Sequence, residues 1–289
     1  MIFQTGAHST EHERLLKCLQ GNSDDFAQQG VVVPPPRRYR PQLKTALEMM
    51  ENSEPAPDIR SKLVETLLSG SEKDRVLLSN THFFGTQREA FGDNCFYPLA
   101  PQRAAYLRRM FAEDQMEIFM AIRNPASFLP AALVNSSKSR ISGLMKKLDL
   151  ADLRWSELFE RLHAAVPDVT ITVWCNEDSP LIWSQILREM AGLAADAEVT
   201  GELALLTDIL SPEGMSRLSE YLAQHPNMSE LHRRRVIAAF MDKYALEEAV
   251  EEEIDLPGLT EDLVEEMTEI YDEDVFAIQH IPGVRFIAP

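Results

Sequence analysis

The stretch Met1-Ile2-Phe3-Gln4-Thr5-Gly6-Ala7-His8-Ser9-Thr10-Glu11-His12-Glu13-Arg14-Leu15 decides the fold. Residues 1–5 are apolar and aromatic enough for a buried strand, Gly6 supplies a flexible turn, and from Glu11 apolar residues return at helical spacing. Strand, short turn and helix in that order form the opening unit of an α/β protein. Backbone N–H groups at such a helix N-terminus face the turn and can hold an anion there.

The rest of the chain repeats this alternation. Strand-length runs occupy residues 75–79 (RVLLS), 116–122 (MEIFMAI) and 169–175 (VTITVWC), with a short run at 284–287 (VRFI). Helical spacing recurs at 11–19, 43–50, 59–68, 101–111 and 155–165. The pattern predicts an α/β fold: a central parallel sheet of four or five strands flanked by helices, with a helical acidic C-terminal subdomain. The α/β core is expected over residues 1–192; residues 193–289 form the mostly helical part, returning to the core near 284–289. Two segments break the rhythm. Residues 31–41 (VVVPPPRRYRP) contain four prolines and three arginines, Arg37, Arg38 and Arg40, and predict an extended, positively charged surface loop. Residues 193–271 show helical spacing and no strand signal; the acidic runs at 248–253 and 261–274 read as solvated helix faces.

Composition excludes several classes. A 289-residue chain with 45% hydrophobic residues is long and apolar enough for a globular core, and no run approaches the roughly 18 to 20 apolar residues of a membrane span. A formal charge of −18, from 28 basic and 46 acidic residues, opposes nucleic acid and anionic membranes as partners. Cys18, Cys95 and Cys175 are odd in number and far apart, which fits reduced thiols and makes no metal site. The chain opens directly on a strand-like run instead of a basic and then apolar leader, so the expected compartment is the cytoplasm.

The first turn is poor in phosphate-binding side chains. Between Gly6 and Glu13 there is no lysine, and Glu11 and Glu13 fall in the first helical turn. Each carboxylate repels a phosphate by about 4 kcal/mol at roughly 4 Å and an effective dielectric of about 20, more than a helix end returns. Read without a ligand, Ser9 or Thr10 caps the helix while the two glutamates complement its dipole.

The opening run nevertheless resembles that of bacterial sulfotransferase-like proteins, where a strand leads into a Pro-Lys-Thr-Gly-Thr-Thr loop gripping the 5′ end of 3′-phosphoadenosine 5′-phosphosulfate. Aligned on Gly6-Ala7 and Thr10, the family's lysine falls on Ser9, its glycine on Glu11 and its paired threonines on His12 and Glu13. Residues 79–85 (SNTHFFG), Phe96-Tyr97-Pro98 and the helix after it are similar to the family's Ser-x-Glu-x-Phe-Leu-Gly and Tyr-Pro segments, with Thr81 at the acidic position. Residues 116–135 resemble the strand and Arg-x-Pro turn that reach the 3′-phosphate; Arg123 matches, and Ala131 replaces a serine. Residues 155–183 and 271–289 resemble the later strand and the ending. The resemblance implies a P-loop-type α/β fold and places cofactor contacts at Gly6, Ser9, Thr10 and Arg123.

Sulfuryl transfer needs oriented positive charge on the leaving oxygens and a base for the acceptor. Losing one such donor typically costs about 3 to 4 kcal/mol, so a turn without the lysine, the glycine cradle and the acidic residue is expected to be catalytically impaired. The reading that follows is a degenerate homologue, a pseudoenzyme acting as a binding or regulatory protein with no cofactor. Its alternative is an active sulfotransferase moving a sulfuryl group from 3′-phosphoadenosine 5′-phosphosulfate to a hydroxyl or amine acceptor, with His82 as base. A lone histidine after a strand is more often structural, and Arg123 either binds an anion or pairs with an acidic helix. A third reading takes His8-Ser9-Thr10-Glu11-His12 as the H-x-x-E-H pattern of inverted zinc peptidases, with Glu89 as a further ligand, or as a weak metal site at His8 and His12. Partners are then a protein or a small-molecule acceptor, and the basic 37–40 loop and acidic C-terminal region permit a homo-oligomer.

Overall fold

The computed structural model describes residues 1–50, 58–68, 74–250 and 256–289. Eight strands appear in chain order: β1 Ile2–Gln4, β2 Val31–Val32, β3 Arg75–Ser79, β4 Phe91–Gly92, β5 Cys95–Phe96, β6 Glu117–Ile122, β7 Thr170–Cys175 and β8 Val284–Phe286. β4 and β5 make a small antiparallel hairpin. The other six form one sheet in the order β2-β3-β1-β6-β7-β8, with every pairing parallel. Phe3 lies beside Leu78 on one side and Ile118 on the other, and Ile118 in turn beside Ile171.

Period-two alternation divides the strand side chains between two cores. Phe3, Ile118, Met120, Ile122, Ile171 and Val173 enter one cluster, where helices Arg40–Met50, Ile59–Leu68, Ala100–Met110, Trp155–Ala165 and Glu261–Ile278 contribute Leu43, Leu63, Leu107, Leu158 and Met267. Ile2, Leu77, Phe119, Ala121 and Trp174 enter the other, where helices His12–Gly21 and Ser179–Ala191 contribute Leu16 and Ile186. Helices therefore cover both faces, as parallel strands require. β1 is the topological switch, since the chain builds β3 and β2 to one side of it and β6, β7 and β8 to the other. Open α/β sheets bind ligands at the carboxyl ends of strands at such a point.

The sheet has six strands, where four or five were expected, because residues 31–41 are not an extended surface loop. Val31 and Val32 pair with Arg75 and Val76 at the sheet edge, a position that tolerates prolines immediately afterwards. Val31, Val33, Pro34 and Tyr39 are buried, Pro36–Arg38 make one 3₁₀ turn, and a helix starts at Arg40 with Pro41 in its first turn. The Tyr39 hydroxyl donates to the Ser79 carbonyl and accepts from the Ser79 N–H, both at 2.8 Å, which anchors this segment to the end of β3.

Residues 193–289 serve three cores, Val199, Leu205 and Ile287 entering the one beneath helices His12–Gly21 and Ser179–Ala191. Leu206, Leu210, Leu218 and Ile237 make a separate small cluster within helices Leu206–Ile209, Pro212–Gln224 and Glu230–Tyr244. Helix Glu261–Ile278 instead sends Met267, Tyr271 and Ile278 into the main core. Its acidic run is not wholly a solvated face: Asp274 is buried and accepts N–H bonds from Trp155 (2.6 Å) and Ser156 (3.2 Å), capping helix Trp155–Ala165. Residues 251–253 of the other acidic run lie outside the described residues. Among the described residues no helix is long and apolar enough to cross a membrane.

Candidate functional site

The turn after β1 is built from buried backbone. Gly6 has φ 125°, a conformation that disfavours any side chain, and Ser9 enters the left-handed region at φ 55°. Ala7 donates to the Ala121 carbonyl and Ala121 to the Gly6 carbonyl, each at 2.8 Å, which ties the turn to β6. The His8 N–H donates to the Tyr97 hydroxyl at 2.9 Å, and the same oxygen lies 2.8 Å from His8 Nδ1. The Tyr97 hydroxyl thus bridges the backbone amide and the ring of His8.

The helix starts at His12, with Glu11 at its N-cap and no side-chain cap from its own turn. Neither Ser9 nor Thr10 caps it, contrary to the expectation from local residues. The Thr10 hydroxyl donates back to the Ala7 carbonyl at 2.8 Å, and Asn176, beyond the end of β7, accepts the Glu11 N–H at 3.1 Å. A tertiary partner has displaced the local one. Two of the amides that face such a turn, those of residues 8 and 11, are thus bonded to side chains of the protein itself.

Arg123 follows β6, the neighbour of β1, and does reach the turn. Its Nη1 donates to the Ser9 carbonyl and its Nε to the Ser127 hydroxyl at 3.0 Å. Ser127 lies one helical turn before Ala131, so a hydroxyl partner for this arginine exists at a position the sequence comparison did not single out. Glu177 holds the same loop by accepting from the Asn124 N–H at 2.7 Å and the Tyr271 hydroxyl at 3.2 Å, and burial raises its pKa above the usual carboxylate range.

On the β3 side of the turn lies a groove of about 660 Å³ between helix Arg40–Met50 and residues 80–89, with Glu13 and Arg103 at its margins. His82 is exposed in it, its ring 5.3 Å from that of His8. Behind the groove, His12 Nε2 lies 3.3 Å from Arg40 Nη2 and 3.4 Å from Ser79 Oγ, which donates to Gln4 Oε1 at 2.9 Å. Burial, reinforced by the neighbouring charges of Arg40 and the other histidines, pushes His12 down to about 3; burial and His82 push His8 down to about 4. His82 is lowered too, first by partial burial and then by Arg40 and Lys44. All three rings are neutral at neutral pH.

The peptidase arrangement is absent here. His8 precedes the helix, its Nδ1 faces Tyr97, and His12 Nε2 faces a guanidinium. Glu89 is engaged by the Thr86 N–H at 2.7 Å and hydroxyl at 2.9 Å. Among the described residues no group of three His, Cys, Asp or Glu side chains is arranged to hold a metal.

Gly6, Ser9, Thr10 and Arg123 therefore meet in one turn, and His82 stands in the adjoining groove. Sequence reasoning placed Tyr97 in a family-like Tyr-Pro segment without assigning its contact and missed Asn176; the two close the turn from 89 and 165 residues away. Arg40 had a readable one, since it begins the apolar spacing continued by Leu43 and Leu47. Comparison of the chain with protein-family models, curated proteins and solved structures gave no match.

Proposed function

We propose that this chain is a sulfotransferase-like protein whose nucleotide turn is closed by its own side chains and which acts as a binding or regulatory protein. The observation that carries the reading is the use of the His8 and Glu11 amides by Tyr97 and Asn176, with Arg123 directed to the Ser9 carbonyl. Glu11 and Glu13 add negative charge where a phosphate would lie. Kinship is supported by the strand–turn–helix at the switch strand and by Arg123 just beyond the end of the adjacent strand β6. Three unpaired thiols fit a reducing compartment, the cytoplasm. Exposed Arg37 and the acidic helix Glu261–Ile278 supply surfaces of opposite sign for a protein partner or a second copy.

Titration calorimetry with 3′-phosphoadenosine 5′-phosphate at moderate salt tests the reading. The expected Kd is about 1 mM or weaker, near −4 kcal/mol. Micromolar binding that disappears in Arg123→Ala overturns it. The second reading, an active transferase using 3′-phosphoadenosine 5′-phosphosulfate, is favoured by His82, exposed in the groove and neutral at pH 7. His82-dependent sulfuryl transfer to a hydroxyl or amine acceptor would establish that alternative.

A further inference from the structure

The groove beside the closed turn keeps what the turn has lost. Helix Arg40–Met50 presents Arg40, Leu43, Lys44 and Leu47 to it, an i, i+3, i+4, i+7 stripe with cationic and apolar members. Leu43, Leu47 and Phe83 are 1%, 4% and 1% exposed and make an apolar floor. Arg40 is fixed from behind, its Nε donating to the Ser79 carbonyl at 3.0 Å and its Nη2 facing His12 at 3.3 Å. Its side chain also bonds that of Tyr39 and stays 30% exposed, and its nearest carboxylate, Glu13, is 3.9 Å away and 70% exposed. Of the other groove carboxylates, Glu89 is bonded to Thr86 and Glu48 faces Lys44 at 3.8 Å. A guanidinium already oriented, with donors left over and an apolar floor beside it, matches a ligand with an anionic head and an apolar body.

We propose that this groove binds a small amphipathic organic anion, its charged group on Arg40, assisted by Lys44, and its apolar body over Leu43, Leu47 and Phe83. The volume, about 660 Å³, is that of a small-molecule pocket. The proposal deepens the binding-protein reading and rests on it.

The probe is 8-anilinonaphthalene-1-sulfonate, compared with N-phenyl-1-naphthylamine, the same apolar body without the sulfonate. Fluorescence titration of the full chain is expected to show one saturable sulfonate site. The neutral analogue should bind about tenfold or more weakly, the worth of one charge-assisted hydrogen bond. Arg40→Ala should remove most of that difference, and Lys44→Glu, a change at an exposed residue, should weaken the sulfonate severalfold. If far-ultraviolet circular dichroism shows Arg40→Ala misfolded, the wild-type pair of probes and Lys44→Glu decide. Equal binding of both probes, or sulfonate binding indifferent to a folded Arg40→Ala and to Lys44→Glu, overturns the proposal. Neither result bears on nucleotide affinity, so micromolar nucleotide binding lost in Arg123→Ala would overturn the proposed function separately.

Discussion

Two arginines flank the loop after β1, one from each side of the switch, and their surroundings put them to different uses. Arg123, on the β6 side, donates to the Ser9 carbonyl and Ser127, beside a turn whose amides already bond Tyr97 and Asn176. Arg40, on the β3 side, is held along one edge by Ser79 and His12 and faces a groove with the other. Both cations stand where open α/β sheets bind ligands. What differs is whether their neighbouring donors and acceptors already satisfy one another. A site at a switch point is therefore defined by the hydrogen-bonding capacity left over, more than by the presence of a cation.

The largest expected effect tests how closed the turn side is. His8 and His12 have folded pKa values near 4 and 3, below their ordinary 6.5. As pH falls below about 6.5, the unfolded chain takes up protons that the folded chain refuses. Their contribution is fully present above that pH and is lost by roughly 1.4 kcal/mol per pH unit for each ring, down toward the folded values. Urea melts at pH 7, 6 and 5 should show this slope, and His12→Gln should flatten it; an unchanged slope in the variant would break the account of a buried neutral ring.

Next in size is Tyr97→Phe, which leaves the His8 N–H and Nδ1 buried without their shared partner and should cost about 2 to 4 kcal/mol in the same melts. A cost below about 1 kcal/mol would mean that the turn does not depend on this hydroxyl. Asn176→Ala removes the acceptor at Glu11 and should cost about 1 kcal/mol, the usual worth of a helix cap. Smallest is Lys44→Glu on the groove side, which should stay within about 0.5 kcal/mol of wild-type stability. A larger loss would make the groove lysine structural and blur the contrast between the two sides.

The strands at the sheet centre were legible because apolar, β-branched runs have one use in an α/β chain, and Phe3, Ile118 and Ile171 fulfil it. β2 was hidden by the prolines after Val33, which read as a loop although an edge strand tolerates them. The meeting of Gly6, Ser9, Thr10 and Arg123 was expected from the resemblance, and the ends of β1 and β6 bring them together. Closure of their turn was not expected, because Tyr97 and Asn176 act across 89 and 165 residues and carry no pattern that links them to it. Asp274 was hidden for the same reason, an acidic run giving no sign of which carboxylate turns inward to Trp155.

The most direct test of a closed turn is to reopen it. Calorimetric titration of 3′-phosphoadenosine 5′-phosphate should be run on the wild type and on the combined variant Ser9→Lys, Glu11→Gly, Glu13→Thr and Asn176→Ala, which supplies a lysine, removes both carboxylates and frees the residue 11 amide from its side-chain acceptor. The account predicts a wild-type Kd of about 1 mM or weaker and at least roughly a tenfold gain in the variant, the worth of one charge-assisted contact. Micromolar affinity in the wild type, lost in Arg123→Ala, would contradict it, and so would a folded variant that gains nothing.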